Sequence, residues 1–154
     1  MKKLLLATAL LLLIVGSSLI TYTVVYNSID KDPVFKGSLD EQVDNIRAQY
    51  DLPGLEQVKE LDVIAQSRCD DFVSRKYFAH TDPDGLHTWQ KYKFTYSIAG
   101  ENLAYGYSNA YNVVDGWVNS KTHKANLLDP NFKQVGYGIC WDNNHYKVVQ
   151  VLKG

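Results

Sequence analysis

The chain has 154 residues, 45% of them hydrophobic and 21% charged, with a formal net charge of −1. That is an ordinary globular composition with enough apolar material to bury one core. Residues 38–154 hold 12 basic and 15 acidic side chains, a balance of −3 with no Arg-rich run, so nucleic acid has no electrostatic footprint and is excluded as a partner.

Met1-Lys2-Lys3 is a basic start, followed by an apolar run from Leu4 to Tyr26, 23 residues in all. A secretory h-region is about 7 to 15 residues and a spanning helix about 20, so residues 1–26 fit a retained signal anchor best. Lys2 and Lys3 then stay in the cytoplasm, with Tyr22 and Tyr26 at the outer interface. The rival is a cleaved signal peptide with "VGSS" (15–18) as its small-residue site. Both readings export the remainder, as a linker over 27–37 broken by Pro33 and Gly37 and a domain over 38–154. The localisation expected is extracytoplasmic, membrane-anchored or secreted.

Ser38-Leu39-Asp40-Glu41 has the form of a capping box. It predicts a helix to about Tyr50 with Leu39, Val43, Ile46 and Tyr50 on one face, stopped by "DLPGL" (51–55). A second helix fits about 57–77, where Leu61, Ile64, Ala65, Cys69, Phe72 and Val73 recur at helical spacing. "DPDG" (82–85) is a type I turn. Residues 86–99 are irregular, with a helical turn around Thr88 to Tyr92. A third helix runs over about 109–119, capped by Asn109 or Ser108, with Tyr111, Val114, Trp117 and Val118 inside. "QVGYGICW" (134–141) alternates strictly, and with "HYKVVQVL" (145–152) it forms a hairpin across "DNN". Helices followed by an antiparallel hairpin predict an α+β domain, its helices packed on one small sheet.

Cys69 and Cys140 are an even pair in an exported domain. They can form one disulfide or be two small buried hydrophobes, and sequence leaves both open. Tyr92, Phe94, Tyr96, Tyr105, Tyr107 and Tyr111 read as core padding, with a ligand groove as the alternative. His145 and His87 sit beside turns and read as solvated. His80, at the exit of helix two, and His123, in the polar loop "NSKTHKANLL", lie where side chains converge on a cleft. Glu101 stands among small and apolar neighbours in "IAGENLAYG" (98–106), and a buried carboxylate needs a partner. His80, Glu101 and His123 have the donor types of a catalytic zinc site, but motif-free clusters match by chance and there is no HExxH. No G-x-S-x-G elbow and no phosphate loop is present.

"YFAHTDPDG", "AGENLAYG" and "VVDGWVNSKTHKANLLDPNFKQVGYGI" occur in that order. Together they resemble the bacterial branch of the CAP superfamily (cysteine-rich secretory, antigen-five and pathogenesis-related proteins), the SCP-like extracellular domains. The resemblance covers about 38–154 and implies an α-β-α sandwich. It implies a cleft set of His80, Glu101 and His123 in a catalytic or binding role, with Glu101 facing the two imidazoles. It also implies zinc or another divalent metal, held in some members by the cleft histidines, here His80 and His123. The site is a reduced tetrad: Ser120 stands where eukaryotic relatives carry a second glutamate, and their "HYTQ"-like histidine is missing. "SKTHK" replaces the usual "S-P-G-H-R".

The function expected is a surface-anchored domain that binds an unknown lipid, peptide or cell-wall ligand through the His/Glu cleft. One alternative is a zinc-dependent hydrolase or peptidase using the same cleft, and another is a structural or adhesion module of the envelope. No single reaction follows from the fold.

Overall fold

The computed structural model describes residues 31–142 and 144–154. The expected anchor or signal peptide lies outside these residues, and among them no helix is long and apolar enough to cross a membrane. Phe35–Gly154 forms one compact unit. Its elements are α1 (Lys31–Ala48), β1 (Glu56–Gln57), α2 (Lys59–Ser74), α3 (Thr88–Tyr92), β2 (Ala99–Tyr105), α4 (Ala110–Val118), α5 (Lys121–Leu127), β3 (Gln134–Asp142) and β4 (His145–Lys153). The strands form one sheet in the order β1-β3-β4-β2. β1 pairs parallel with β3, and the other pairings are antiparallel.

Alternation along the strands sends side chains to two cores. Val135, Tyr137, Ile139, Val148 and Leu152 meet α1 (Leu39, Val43), α4 (Val113, Val114, Trp117) and Leu127 of α5. Val149, Val151 and Leu103 meet α2 (Leu61, Ile64, Ala65, Cys69, Phe72) and Phe94. Helices therefore cover both faces, as a sandwich requires.

α2 lies directly on β3 because β3 turns no bulky side chain toward it. A Cβ on Gly136 would stand 2.2 Å from the Leu61 carbonyl carbon, and one on Gly138 would stand 2.1 Å from the Ala65 carbonyl oxygen. Four helical residues rise about 6 Å and two strand residues about 6.6 Å, so the next step of this register meets Cys69 with Cys140. Those two are joined in a disulfide, which resolves the choice that sequence left open. Helix side chains also close both sheet edges. Beyond the short β1, Asp62 accepts from Tyr137 N (2.8 Å) and Gln66 from Ile139 N (3.1 Å). On β2, Trp117 Nε1 donates to Leu103 O (3.1 Å) and Asn126 Nδ2 to Glu101 O (3.2 Å). Edges paired in this way offer no template to another strand.

Several expectations are corrected. The first helix does not open at Ser38; it is already helical from Lys31, through part of the segment read as linker. The helix ends at Ala48, which leaves Tyr50 exposed. The second helix is shorter than expected at both ends. The sheet has four strands rather than two: "AGENLAY" is a strand buried on both faces, so it lacks the period-2 pattern. "KTHKANL" is a helix, not a loop. In α4, Ala110 and Val113 are inside and Tyr111 is outside. The Asn109 cap holds, its side chain accepting from Asn112 N at 2.9 Å. The "DPDG" turn closes through Gly85 N to Asp82 O at 2.9 Å. The padding reading fails for Tyr96, Tyr105, Tyr107 and Tyr111, which are exposed; of that set only Phe94 is fully buried.

Candidate functional site

Glu101 points from the middle of β2 toward α2, and three elements bring it partners. His80, on the loop after α2, meets Glu101 Oε1 through Nδ1 at 2.8 Å. Thr88, the first residue of α3, donates its hydroxyl to Oε2 at 2.5 Å. Arg68 of α2 places Nε 3.3 Å from the same oxygen. The Glu101 and Arg68 side chains are 2% and 0% exposed, whereas that of His80 is 51% exposed.

Arg68 is the partner that sequence reasoning missed. Its signal was present: the stripe Leu61, Ile64/Ala65, Arg68/Cys69, Phe72 puts an arginine among apolar positions of α2. The guanidinium lies over the Phe72 ring (4.7 Å) and spends its other donors on Tyr77 Oη (2.6 Å) and Ala79 O (2.8 Å). Arg68 thus neutralises Glu101 and also pins the residue before His80. The network extends outward. Tyr77 donates to Asp71, Lys91 bridges Asp71 (2.8 Å) and Asp82 (3.0 Å), and Arg75 pairs with Asp84 (2.7 Å). Burial, then the bond to Asp71, pushes the Tyr77 phenol well above its usual range. Asp82 is held down at about 2, first by the backbone N–H of Leu86 and then, against burial, by Lys91 and the N–H of Asp84.

An ionised carboxylate only accepts, so His80 donates through Nδ1, and Nε2 becomes its basic nitrogen. With Nδ1 occupied and half the side chain in solvent, Nε2 is the atom offered outward. This is the carboxylate–imidazole arrangement of a general base or of a hydrogen-bond acceptor for a ligand.

His123 sits on α5, half-buried. Its carbonyl accepts from Asn102 Nδ2 (3.3 Å), while Asn126, one turn on, donates to Asn102 Oδ1 (2.9 Å). These amides lock α5 against the Glu101 strand; they are a further part of the site that sequence reasoning did not find. Partial burial, and then the proximity of His80, lowers the pKa of His123. No hydrogen bond joins its side chain to Glu101 or His80 among the described residues. The structure therefore joins His80 to Glu101 directly and brings His123 into electrostatic range of His80. His87 is half-buried rather than solvated, stacked on Trp89 at 4.7 Å. His145 is exposed, edge-on to Tyr105 at 5.3 Å.

The three side chains do not fit a metal-ligand set. Both Glu101 oxygens are engaged, one beside the Arg68 cation, and His80 already spends Nδ1. Two imidazoles remain, one short of the protein ligands that a catalytic zinc uses. The described residues contain no group of three or more His, Cys, Asp or Glu side chains that could hold a metal ion. Ser120 instead precedes the first turn of α5 as its N-cap residue. A separate cavity of about 470 Å³ opens beyond Tyr77, lined by Lys76, Phe78, Tyr105, Asp142 and Lys147.

Fold and site define a class: an α-β-α sandwich with an imidazole held at its surface by a buried, charge-compensated glutamate. The profile of the cysteine-rich secretory protein family, CAP, matches residues 41–152, and the chain belongs to that family. It is 32% identical over 95 residues to the uncharacterized protein YkwD of Bacillus subtilis, covering 60% of this chain and 37% of that one. It is 29% identical over 107 residues to the uncharacterized membrane protein YlbC of B. subtilis, covering 66% of this chain and 30% of that one. Among solved structures, an extracellular SCP-domain protein of Bacillus anthracis superposes with a TM-score of 0.68 at 26% identity, over 79% of this chain and 40% of its own. The chain thus spans well under half the length of these relatives.

Proposed function

We propose that the protein is an extracytoplasmic, membrane-anchored domain that binds a lipid, peptide or cell-wall ligand through the His80–Glu101 face, with His123 at its border. One observation carries this reading: a buried Glu101, neutralised by Arg68, fixes the His80 tautomer and leaves Nε2 for a ligand. Support for the location comes from the apolar N-terminal run, from a disulfide that suits an oxidising compartment, and from relatives named as extracellular or membrane proteins. The full chain, ¹⁵N-labelled at histidine, is titrated with three ligand sets: phospholipid, short peptides and cell-wall fragments. One set should move the His80 Nε2 resonance, and His80→Ala should lose that binding with the fold intact. If none of the three shifts that nitrogen, the binding reading fails.

A peptidase or other hydrolase reading has one favourable observation, the Nδ1-held imidazole as general base. It lacks a metal set among the described residues. Peptide turnover that survives His80→Ala at unchanged rate would remove it. If Glu101→Gln lowers stability and changes neither binding nor turnover, a structural envelope module remains.

A further inference from the structure

We propose that the hairpin-tip end of the domain rests on the lipid–water interface, with Trp141, Tyr105, Tyr107, Tyr111 and Phe78 at headgroup level. This placement rests on the anchored reading above. Seven aromatic side chains are exposed among the described residues: Tyr50, Phe78, Tyr96, Tyr105, Tyr107, Tyr111 and Trp141. Five belong to one end of the sheet. Trp141 lies beside the turn joining β3 to β4, and Tyr105 ends β2 opposite Lys147. Phe78 packs on Tyr105 at 5.7 Å. Tyr107 and Tyr111 follow β2 into the first turn of α4. Tyr50 lies beyond the far end of α1, and Tyr96 lies next to Ser97, whose N–H bonds the last residue, Gly154.

The patch wraps the end of the sandwich. Trp141 stacks edge-on with Tyr146 (4.5 Å) on the α1 side of the sheet, while Tyr105 meets Phe78 and His145 on the α2 side. A partner lying in a groove or on one sheet face would touch only half of this set. A surface met end-on faces both sides of the sheet at once. The residue types fit such a surface, because Tyr and Trp combine an apolar body with a polar tip and concentrate at membrane interfaces. Lys76 and the Lys147–Asp142 pair line the cavity at the same end, beside Tyr105 and Phe78.

The chain enters the domain at this end. The ring of Phe35, early in α1, packs on Tyr146 at 5.3 Å. Phe35 comes nine residues after Tyr26, where the apolar run stops. Nine residues span at most about 30 Å even when fully extended, so an anchored chain holds the aromatic end close to the bilayer. Glu101 lies four residues back from Tyr105, about 13 Å along the strand. The His80 face then meets its ligand just above the membrane surface.

The test uses the full chain, reconstituted in phosphatidylcholine–phosphatidylglycerol vesicles with lipids brominated near the headgroup. The chain has three tryptophans, of which Trp117 is buried, Trp89 is half-buried against His87, and Trp141 is 55% exposed. Brominated lipid should quench part of the emission, Trp141→Phe should abolish that loss, and Tyr105→Ser with Tyr111→Ser should weaken it. Protein that floats with the vesicles but shows the same emission with and without bromine overturns the docking and leaves the anchor standing. Protein that stays off the vesicles overturns both.

Discussion

Arg68 Nε lies 3.3 Å from Glu101 Oε2, and both side chains are sealed from solvent. Removing one member of such a pair leaves a bare charge in the interior, whereas replacing both with apolar groups is often neutral. Arg68→Met should therefore destabilise by about 3–5 kcal/mol, and Arg68→Met with Glu101→Leu should recover most of that loss. Urea unfolding of the four proteins of this cycle measures it. Strictly additive losses would mean that the two groups do not act as a pair.

His123 is held below its usual pKa by burial first and by His80 second. A lowered histidine resists charging in the folded state, so its contribution is complete above the unfolded value of about 6.5 and is lost as the pH falls toward the folded value. In a ¹H–¹³C titration, His123 should be neutral at pH 7 with a midpoint below that of free histidine. His80→Ala should move the midpoint upward. An unmoved midpoint would show that the two rings do not communicate.

Asp40 is raised to about 6 by burial first and then by Asp44 and Asp62, and its Oδ1 has no hydrogen-bond partner among the described residues. The folded state therefore binds this proton more tightly than the unfolded chain. The stability tied to the protonated carboxyl is complete below about pH 4 and is lost as the pH rises through 6. Asp40→Asn should raise stability by about 1–2 kcal/mol at pH 7.5, a two-unit shift discounted for partial exposure, and change nothing at pH 4. Paired thermal melts at the two pH values decide it.

The α2–β3 contact has no room for a methyl group. Gly138→Ala would put Cβ 2.1 Å from the Ala65 carbonyl oxygen, so it should cost at least about 1–3 kcal/mol through displaced backbone. The disulfide that locks the same contact joins residues 71 apart. Reducing it should lower stability by about 4 kcal/mol in the chain-entropy account. Melting with and without dithiothreitol, in wild type and Gly138→Ala, separates the two effects.

Zinc is the sharpest test of the donor geometry. With Glu101 committed to Arg68, Thr88 and His80, the full chain dialysed against zinc at neutral pH should hold well under one equivalent by atomic absorption. A tight single equivalent that His80→Ala or His123→Ala removes would show that Glu101 exchanges Arg68 for a metal.

Much of this was legible in the chain itself. Strict alternation over residues 134–141 and a short polar turn dictated the hairpin. The spacing of Leu61, Ala65, Cys69 and Phe72 dictated α2, and Asn109 marked the start of α4. The three ordered motifs were enough to single out His80, Glu101 and His123. What stayed hidden shares a physical cause. β2 is buried on both faces and so carries no periodic signature. "KTHKANL" is a short helix whose Asn126 amide finds its partner, Asn102, only once β2 is beside it.

Local pattern thus determined α2, α4 and the hairpin, because periodicity and capping act between near neighbours in the chain, whereas His80, Glu101 and His123 were singled out by the family resemblance of the three motifs. Only tertiary structure decided that Cys69 bonds Cys140, that Arg68 pairs with Glu101, and that Tyr105, Tyr107 and Tyr111 lie exposed instead of filling the core. The first two outcomes depend on side chains 71 and 33 positions apart, and the distance between such groups is set by how helices and sheet pack.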